Sequence, residues 1–486
     1  MTSLCSKYSV RPLALFVMAF SLGACTLGPD YQRPELPLAA AFKQAEGWKS
    51  ATPSDVLQRG DWWTLYGDAE LNALVGRLNV SNQNLAAAEA QYRQARALVR
   101  GARSQLFPVV GASGGVSRGG QGSSTSSTQT GIGSSRVSES YEVGLDASWE
   151  LDIWGRLRRN LEANRADMQA SAADLAAVRL SLQSELVQTY LQLRVMDEQQ
   201  RLLDQTVAAY ARSLRLTDNQ YQAGIVPRSD VSQARTQLKS TQAQAIDLRW
   251  QRAQMEHAIA VLIGVPPSEL NIAERRDIPQ LPDVPLALPS QLLERRPDIA
   301  SAERQVMAAN AQIGVAEAAW YPDLTLSASG GYRNSSFSNL INLPNRFWSL
   351  GPQLALTVLD FGARRAELEQ AEASYDQTVA TYRQTVLDSF REVEDSLVQL
   401  RVLAEEAVVQ REALEAAQES LRLIENQYRA GTVDFLSVAT VQTTALNNER
   451  TNLTLLGDRL TASVQLIAAL GGGWDIQQLD TELDPQ

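Results

Sequence analysis

Two long stretches of the chain, 156–223 and 363–430, contain neither glycine nor proline and carry mostly apolar residues at every seventh position. Each stretch has about 68 residues, which as an α-helix would be on the order of 100 Å long. Apolar residues that recur every seven positions predict helices supercoiled around neighbouring helices. The two rows consist of Leu161, Met168, Leu175, Leu182, Met196, Leu203 and Tyr210, and of Val386, Val393, Leu400, Ala407, Leu414, Leu421 and Tyr428. A purely structural coiled coil would account for these rows by themselves.

The ends of the two stretches are copies of one another. The segments Ser213–Tyr221 and Ser420–Tyr428 differ at only two positions. Each continues as Tyr-x-Ala-Gly, and the two glycines, Gly224 and Gly431, lie about 207 positions apart. Such an internal duplication predicts one domain with two similar halves, although a chain of 486 residues is long enough for several domains.

Ahead of each long helix the hydrophobic period changes from seven to two. Apolar residues alternate with polar ones, which predicts strands with one apolar and one polar face. The predicted strands are 108–116, 141–151, 323–332 and 349–359, and the polar tracts 117–140 and 333–346 are predicted as loops. A soluble four-stranded sheet with one solvated face would have this pattern, and so would part of a membrane β-barrel.

Both halves thus predict the same order of elements: a helix, a strand, a loop, a strand, a long helix, a turn and a shorter helix. The shorter helices are predicted over 228–263 and 433–470. Prolines predict an extended N-terminal segment with an exposed tryptophan pair, Trp62 and Trp63, and a linker between the halves. The predicted divisions are a leader 1–24, the extended segment 25–67, the first repeat 68–264 (opening with one helix over about 68–106), the linker 265–297, the second repeat 298–472 and a tail 473–486.

The first 24 residues have the pattern of a secretory leader, with basic residues ahead of an apolar stretch too short to cross a bilayer. The leader ends in a sequence that resembles the lipobox of bacterial lipoproteins, whose cysteine is acylated and becomes the mature N-terminus. The lipobox residues are Leu22, Gly23, Ala24 and Cys25. The following Thr26 favours the outer membrane, since an aspartate there tends to retain lipoproteins at the inner one. The alternative is an ordinary small-residue cleavage site that contains a cysteine.

Composition argues against several classes of function. The net charge of −11, without a basic cluster, argues against nucleic acid as a partner. Cys5 and Cys25 are the only cysteines and His257 is the only histidine, so we expect no disulfide framework, no metal site and no cofactor. The residues around Ser117 match Gly-x-Ser-x-Gly, but a hydrolase needs that motif at a strand-to-helix elbow with a histidine partner. We therefore predict that the protein is not an enzyme.

Four strands cannot close a membrane barrel alone, because an open edge in hydrocarbon leaves backbone groups unpaired at a cost of roughly several kcal/mol each. Two chains would give eight strands with an interior filled by side chains, whereas three chains would give twelve strands and leave a passage. The sequence therefore predicts a homotrimer. Its fold class is mixed: a membrane β-barrel of twelve strands plus a barrel of long α-helices, built from internally duplicated chains with four strands, two very long helices and shorter helices each.

Short motifs spread over nearly the whole mature chain resemble one family. They are Cys25-Thr-Leu-Gly-Pro-Asp-Tyr31, Trp62-Trp63 with Tyr66-Gly-Asp68, Glu294-Arg-Arg-Pro-Asp-Ile299 with Ala302-Glu303, Tyr321-Pro322, Asp360-Phe-Gly362, the two Tyr-x-Ala-Gly segments and Ala469-Leu-Gly-Gly-Gly-Trp474. In this order they resemble the outer membrane factors of bacterial tripartite efflux pumps. The resemblance is to the lipoprotein branch that works with resistance-nodulation-division transporters and includes the nodulation factor T-like proteins.

This resemblance implies a lipid-anchored outer-membrane protein with a large periplasmic portion. As a trimeric duct it would passively conduct drugs or other small molecules that reach it from a periplasmic membrane-fusion adaptor and an inner-membrane transporter of the resistance-nodulation-division class. A type I protein-secretion duct is the alternative within the same class. A structural coiled-coil protein of the envelope is the alternative from a different class.

The resemblance also implies roles for the two Tyr-x-Ala-Gly segments as turns at the periplasmic end, where glycine suits the reversal of the chain. The turn residues are Tyr221, Gly224, Tyr428 and Gly431. In relatives a carboxylate one turn beyond the first glycine helps to hold that end closed, and Asp230 matches it here, although Asp230 would also suit a helix N-cap. Where relatives place aspartates in the narrowest ring, this chain has Ser437 and Thr440, with Leu436 beside them. A cation-selective ring is therefore not implied.

Overall fold

The computed structural model describes residues 26–36, 43, 61–121, 136–275, 277–282, 295–474 and 476. None of the helices in these ranges is long and apolar enough to cross a membrane. The helices are α1 (Ala69–Ser81), α2 (Gln83–Ser104), α3 (Arg156–Gln222), α4 (Arg228–Leu262), α5 (Pro297–Ala318), α6 (Ala363–Arg429) and α7 (Phe435–Ala469). The strands are β1 (Val109–Gln121), β2 (Arg136–Leu151), β3 (Asp323–Asn334) and β4 (Arg346–Ala355).

The internal duplication is visible in the lengths of the helices. The long helices α3 and α6 each have 67 residues, and the helices that follow them, α4 and α7, each have 35. Most positions of the two seven-residue rows are buried, as expected for helices that pack along their length. The buried members are Leu161, Leu175, Leu182, Leu203, Tyr210, Val386, Val393, Leu400, Ala407 and Tyr428.

The helix predicted to run continuously from about 68 to 106 is interrupted at Asn82, so this prediction was wrong. Asn82 has an extended backbone conformation, and its side-chain oxygen accepts a hydrogen bond from the Leu85 backbone N–H at 2.9 Å. This is the geometry of a helix N-cap, in which a short polar side chain satisfies a backbone donor of the first turn. The interruption therefore starts a second helix, α2.

The four strands form one antiparallel sheet in the order β1-β2-β3-β4. Strands β1 and β2 extend further into the Gly/Ser-rich tract than predicted, and pairing continues to Gln121 opposite Arg136. Backbone hydrogen bonds do not require large side chains, and Arg118 and Glu139, which face each other across the pair, add a salt bridge at 3.4 Å. The first loop is therefore shorter than the predicted 117–140. The second loop lies between Asn334 and Arg346 and contains two short 3₁₀ turns.

Strand β4 was predicted over 349–359 but is observed at Arg346–Ala355. Its neighbour β3 begins at Asp323, which pairs with Ala355, and is preceded by Pro322. Proline has no backbone N–H to donate to a ladder, so pairing ends there although alternation continues along the sequence. Alternation therefore located the strand but not its end.

The described chain divides into two compact units. Of the described residues, the first unit comprises those within 1–34, 93–170 and 303–381, and the second comprises those within 35–92, 171–302 and 382–486. The first unit contains the sheet, and the second contains the larger hydrophobic core. Helices α2, α3, α5 and α6 each have residues in both units.

In the first unit, an extended segment near residue 26 is fixed against α3 and α5. The buried Arg159 donates from Nε to the Leu27 carbonyl at 2.9 Å and from a terminal nitrogen to Asp30 at 3.0 Å. Gly28 crosses Gly314 so closely that a Cβ on Gly28 would lie 2.4 Å from the Gly314 Cα. Only glycine allows this approach, because any side chain there would collide with backbone. The described residues 26–36 of this segment contain neither helix nor strand.

The tryptophan pair of the same predicted segment is not exposed, so that expectation was wrong. Trp62 and Trp63 lie in a 3₁₀ helix that ends at Tyr66, and all three side chains are buried in the core of the second unit. The Tyr66 hydroxyl and Ser463 share a hydrogen bond of 2.7 Å. Large aromatic side chains contribute most when buried, and a polar group at the ring edge needs a partner there.

The part of the linker that directly follows α4 is held by a buried network of charges. Arg194 is fully buried and donates to Asp197 at 2.8 Å, to Glu70 at 2.6 Å and to the Ala273 carbonyl at 2.8 Å. Arg252 donates to the other oxygen of Asp197 at 2.6 Å. Removing one member of such a network would leave buried charge without a partner, so the linker is tied firmly to α1, α3 and α4.

The ends of α4 and α7, at equivalent positions in the two halves, are each held by contacts with the residues directly before another helix. At the end of α4, Gly264 adopts φ +71° and lies against the Ser81 carbonyl, and the Asn82 side-chain amide donates to the Leu262 carbonyl at 2.7 Å. At the end of α7, Gly471 adopts φ +93° and lies against the Arg295 carbonyl. There the equivalent donor is Arg296, which binds the Ala469 carbonyl at 3.0 Å as well as Asp298 and Glu392.

Several predictions concern residues outside those described: the leader, Cys25 and the other lipobox residues, the centre of the first loop, much of the linker and most of the tail.

Candidate functional site: the sheet faces and the helix turns

The sheet has one apolar face. Because paired residues of antiparallel strands point to the same side, the register assigns every side chain to a face. The apolar residues on this face include Val110, Ala112, Gly114 and Val116 of β1; Tyr141, Val143, Leu145, Ala147, Trp149 and Leu151 of β2; Leu324, Leu326, Ala328, Gly330 and Tyr332 of β3; and Trp348, Leu350, Pro352 and Leu354 of β4. At the loop end the same register also places four polar residues on this side, Arg118, Glu139, Asn334 and Arg346. Several are strongly exposed, for example Trp348 at 74% and Leu350 at 64%. An apolar surface of this extent marks a membrane or protein contact.

The opposite face is polar. Arg333 donates to Glu142 across β2 and β3 at 2.8 Å, and its guanidinium lies over the Phe347 ring at 5.1 Å. Asp146 lies over Gly111, where a Cβ would be 2.9 Å from its carboxylate. The remaining residues of this face are mostly serine, glycine, threonine and glutamine. Such a lining suits a water-filled passage rather than a packed core.

Aromatic residues border the apolar face at both ends. Tyr141, Tyr332 and Trp348 lie toward the loops, and Trp149 lies near the opposite end of β2. Eight residues separate Tyr141 from Trp149 along β2, which is about 26 Å along the strand, or about 20 Å across the bilayer at the usual strand tilt of roughly 40°. Outer-membrane barrels have an apolar band about 25 Å tall between two aromatic girdles. The sheet therefore has the dimensions of a bilayer-spanning surface.

The two Tyr-x-Ala-Gly segments end α3 and α6 with the same backbone turn. Gly224 and Gly431 each have φ +72°. The Ile225 N–H donates to the Gln220 carbonyl at 2.8 Å, and the Thr432 N–H donates to the Gln427 carbonyl at 3.0 Å. This is the Schellman arrangement, which places a left-handed residue, usually glycine, directly after a helix. Both turns lie in the second unit.

The tyrosines of the two turns differ. Tyr428 is 7% exposed, and its hydroxyl donates to Gln220 at 2.8 Å and lies 3.4 Å from the Thr217 hydroxyl. Its ring meets Phe435 edge-on at 5.8 Å. Burial raises the pKa of Tyr428, and the negative charge of Asp230 adds to that effect. Tyr221, the equivalent residue of the first turn, is 41% exposed. Tyr428 therefore ties the two turns together from one side.

Asp230 lies in the first turn of α4, as its third residue, and is not the N-cap. The N-cap is Pro227, which makes no side-chain capping bond. Asp230 accepts a 3.3 Å hydrogen bond from the Ser229 hydroxyl, and the helix N-terminus favours its negative charge. Its carboxylate is half-buried at the turns and close enough to Tyr428 to shift the pKa of that residue.

The other three aperture candidates begin α7. Leu436 is 56% exposed. The Ser437 hydroxyl donates to Asp434 at 2.6 Å, and the Thr440 hydroxyl donates to the Leu436 carbonyl at 2.8 Å. Asp434, which the sequence reasoning missed, is the N-cap of α7, because its carboxylate also accepts from the Ser437 N–H at 3.0 Å. The Ser437 hydroxyl, with help from the backbone N–H, lowers the pKa of Asp434.

The two residues considered for catalysis, Ser117 and His257, do not lie in an arrangement that a serine hydrolase would need. Ser117 lies within β1, paired with Ser140, and not at a strand-to-helix elbow. His257 is exposed on α4. Across the part of the chain that the structure describes, no cluster of three or more His, Cys, Asp or Glu side chains has an arrangement suited to a metal ion.

Comparison with known proteins agrees with this geometry. The family model described as "Outer membrane efflux protein" matches residues 74–265 and 288–472. The chain is 33% identical to the probable efflux pump outer membrane protein TtgC of Pseudomonas putida, over 95% of each chain. It is 29% identical to the cation efflux system protein CusC of Escherichia coli, over 94% of this chain and 98% of that one. The solved outer-membrane channel OprN superposes with a TM-score of 0.84 at 32% identity, covering 93% of this chain and all of OprN.

The fold and the two-faced sheet define an outer-membrane channel built mainly from long helices, and these relatives are channels of that kind and not enzymes. The chain belongs to the outer membrane efflux protein family. The expectation of an outer membrane factor that serves as an exit duct in a tripartite efflux system is thereby confirmed.

Proposed function

We propose that three copies of this chain form the outer-membrane duct and that the duct conducts small molecules passively. The observation that carries this proposal is the sheet: it has one apolar and one polar face, and β1 and β4 are its edge strands. Edges cannot remain open in hydrocarbon, so β4 of one copy pairs with β1 of the next. Three copies give twelve strands around a polar passage.

Planar-bilayer recording of the purified protein, with its mass determined by light scattering, tests this proposal. We expect a trimer that inserts and gives discrete channel events. A trimer that gives no events, even at high voltage or with the turns opened by substitution, would instead favour a structural coiled-coil protein of the envelope.

The driving force in this proposal comes from partners, a periplasmic adaptor and an inner-membrane transporter of the resistance-nodulation-division class. Pull-down of the tagged chain from its native cells, followed by mass spectrometry, should recover both. Recovery of a haemolysin-type ABC transporter in their place would favour the alternative of a type I protein-secretion duct. The transporter recovered in this experiment would also indicate the class of cargo. The names of the relatives do not decide it, since one is a probable efflux pump protein and another is a cation efflux protein.

The turns at Gly224 and Gly431 are, in this proposal, the periplasmic tips, and Asp230 with Leu436, Ser437 and Thr440 surrounds the aperture. The proximity of Asp230 to Tyr428 supports a role for its carboxylate in holding the tips together. Asp230→Ala should therefore raise conductance and sensitivity to vancomycin. The matched control is Asp247→Ala, which removes an exposed carboxylate further along α4 that accepts a hydrogen bond only from the adjacent turn. Wild-type conductance in Asp230→Ala would contradict the role.

The lipid anchor in this proposal is Cys25, preceded by Leu22, Gly23 and Ala24. Its support is the lipobox sequence together with Thr26, the following residue, which packs against Gly155. Metabolic labelling with radiolabelled palmitate should mark the wild-type protein and not Cys25→Ala. Label that persists in the variant would refute the assignment.

A further inference from the structure

The apolar face of the sheet contains a depression of about 720 Å³ near the loop end. Its floor is formed where β1 and β3 carry glycine, at Gly114 and Gly330, and its walls are Leu145 and Trp348. A Cβ on Gly330 would meet its nearest neighbours only at 3.7 and 3.9 Å, so the space above it is open. Sites for drug-sized ligands have volumes of about 300–1,000 Å³ and are mainly apolar. The depression is therefore large enough for part of an acyl chain.

A cation lies at the outer end of this depression. Arg346 is the first residue of β4, pairs with Tyr332 across the strands and lines the cavity. It is exposed and makes no ion pair with any residue in the described ranges. Arg333 is directly comparable but lies on the polar face, where Glu142 neutralises it. An arginine at the edge of an apolar surface keeps its stem in hydrocarbon and its guanidinium at the headgroups, and guanidinium binds phosphate with two parallel hydrogen bonds.

The loop that closes the upper end of the depression is also suited to lipid. Ile341 lines the cavity, and Phe337 and Leu343 in the same loop are likewise more than 70% exposed. Three apolar side chains so exposed in one short loop indicate contact with hydrocarbon or headgroups rather than water. Because the long loops of outer-membrane barrels face outward, this end of the sheet lies in the outer leaflet.

We propose that this depression binds one phosphorylated lipid of the outer leaflet, with an acyl chain over Gly330 between Leu145 and Trp348 and a headgroup phosphate on Arg346. The inference rests on the membrane placement of the sheet in the proposed function. Charge complementarity selects this occupant: the walls are apolar, and the single cation at the mouth lacks an anion among the described residues. A bound lipid would fill the depression and hold the second loop at the bilayer surface.

Native mass spectrometry of the delipidated full-length protein, titrated with diphosphoryl lipid A or with the same lipid stripped of its phosphates, tests the site. We expect the wild-type protein to retain up to one diphosphoryl lipid A per chain, about ten-fold more tightly than the stripped lipid, as a charge-assisted contact implies. Arg346→Gln should abolish this difference between the two lipids. Gly330→Leu, which fills the depression, should weaken retention of both.

Two matched variants control for general effects on the sheet. Gly351→Leu adds the same side chain on the polar face, where nothing lies within 4 Å of the new Cβ, and Arg333→Gln removes an arginine from that face. Both should retain lipid as the wild type does. Equal retention by all variants, or equal retention of both lipids by the wild type, would overturn the lipid site.

Liposome flotation separates this inference from the function on which it rests. Wild-type protein that fails to float with liposomes would contradict the membrane placement of the sheet itself, whereas floating protein with unaltered lipid retention contradicts only the site. If Gly330→Leu fails to float because the sheet is disturbed, Arg346→Gln still decides the question, since it removes only the headgroup contact.

Discussion

At Gly224 and Gly431 the chain makes the same turn twice, with the same φ and the same pair of backbone hydrogen bonds, yet the side chains around the two turns differ. Tyr428 is buried on Phe435, whereas Tyr221 is exposed. The helix after the second turn has a carboxylate cap, and the helix after the first begins at a proline without one. The duplicated chain has kept its backbone geometry while the chemistry that supports it has diverged.

The helix stacks show the same division. Gly264 and Gly471 lie at equivalent positions, each in a left-handed conformation against a backbone carbonyl, so neither position can accept a side chain. The neighbouring donor is a neutral amide, Asn82, in the first half and a guanidinium, Arg296, in the second. At Gly264 and Gly471 the backbone conformation requires glycine, so both halves have glycine there. The carbonyl at the end of the helix can accept a hydrogen bond from an amide or from a guanidinium, so the donor residue differs between the halves.

The largest expected effect separates the two tyrosines. Tyr428→Ala removes a buried ring and a 2.8 Å hydrogen bond to Gln220, and should destabilise the turns by about 3 kcal/mol. Tyr221→Ala should cost less than about 0.5 kcal/mol, because its side chain is largely in water. Hydrogen-exchange mass spectrometry of the last turns of α3 and α6 measures both. Equal protection in the two variants would contradict the asymmetry.

The second effect concerns the stacked helices. Asn82→Ala leaves the Leu262 carbonyl and the Leu85 N–H without their partners in a buried place, and should destabilise this junction by about 2 kcal/mol. Exchange should rise at the end of α4 and the start of α2 and stay unchanged at the end of α7. Asn84→Ala, at an exposed position two residues further on, is the control and should leave hydrogen exchange unaltered.

A smaller and equal effect is expected at the two turn glycines. Nothing lies within 4 Å of a Cβ built on Gly224 or Gly431, so alanine would bring only the strain of a positive φ, about 1 kcal/mol. Gly76→Ala is the matched control, because Gly76 has equally open surroundings within a regular helix, where alanine stabilises by about 0.5–1 kcal/mol. The melting temperature should fall by similar amounts in Gly224→Ala and Gly431→Ala and should rise in Gly76→Ala. Unequal shifts at the turns would show that their backbones are not equivalent.

Much of the fold could be predicted from periodicity, because packing along a helix or across a strand repeats at a fixed spacing. The long helices are observed within one residue of 156–223 and 363–430. Alternation of apolar and polar residues predicted all four strands. Their ends depend on the neighbouring strands with which they pair, so the sequence of one strand alone does not predict them. The salt bridge between Arg118 and Glu139 was a signal for the longer β1 and β2, because these two residues are opposite charges in a tract, 117–140, whose only other charged residue is Arg136.

The contacts at the turns could not be predicted in the same way. Tyr221 and Tyr428 lie in nearly identical sequences, but Tyr428 packs on Phe435, seven residues further on, where the first half has Arg228. Its hydroxyl also binds Gln220 of the other long helix, a contact that the local sequence does not contain. Likewise, Trp62 and Trp63 are buried by helices far away in the sequence. Asp434 could have been predicted from the local sequence, since aspartate is a preferred N-cap residue and Asp434 directly precedes the helix.

The smallest expected effect is the pH dependence of that cap. The Ser437 hydroxyl and N–H bind the ionised Asp434 carboxylate and lower its pKa below the ordinary value of 3.8. A carboxyl whose pKa is lower in the folded state stabilises that state above its unfolded pKa, and the contribution is lost as pH falls through the folded value. Exchange in the first turn of α7, corrected for the intrinsic rate, should therefore rise below about pH 4, and Asp434→Asn should reduce this rise. The first turn of α4 has no side-chain cap at Pro227 but contains Asp230, so the comparison uses Asp230→Asn, in which the first turn of α4 should lack this component. A matching rise in that variant would mean that the two turns respond to pH alike.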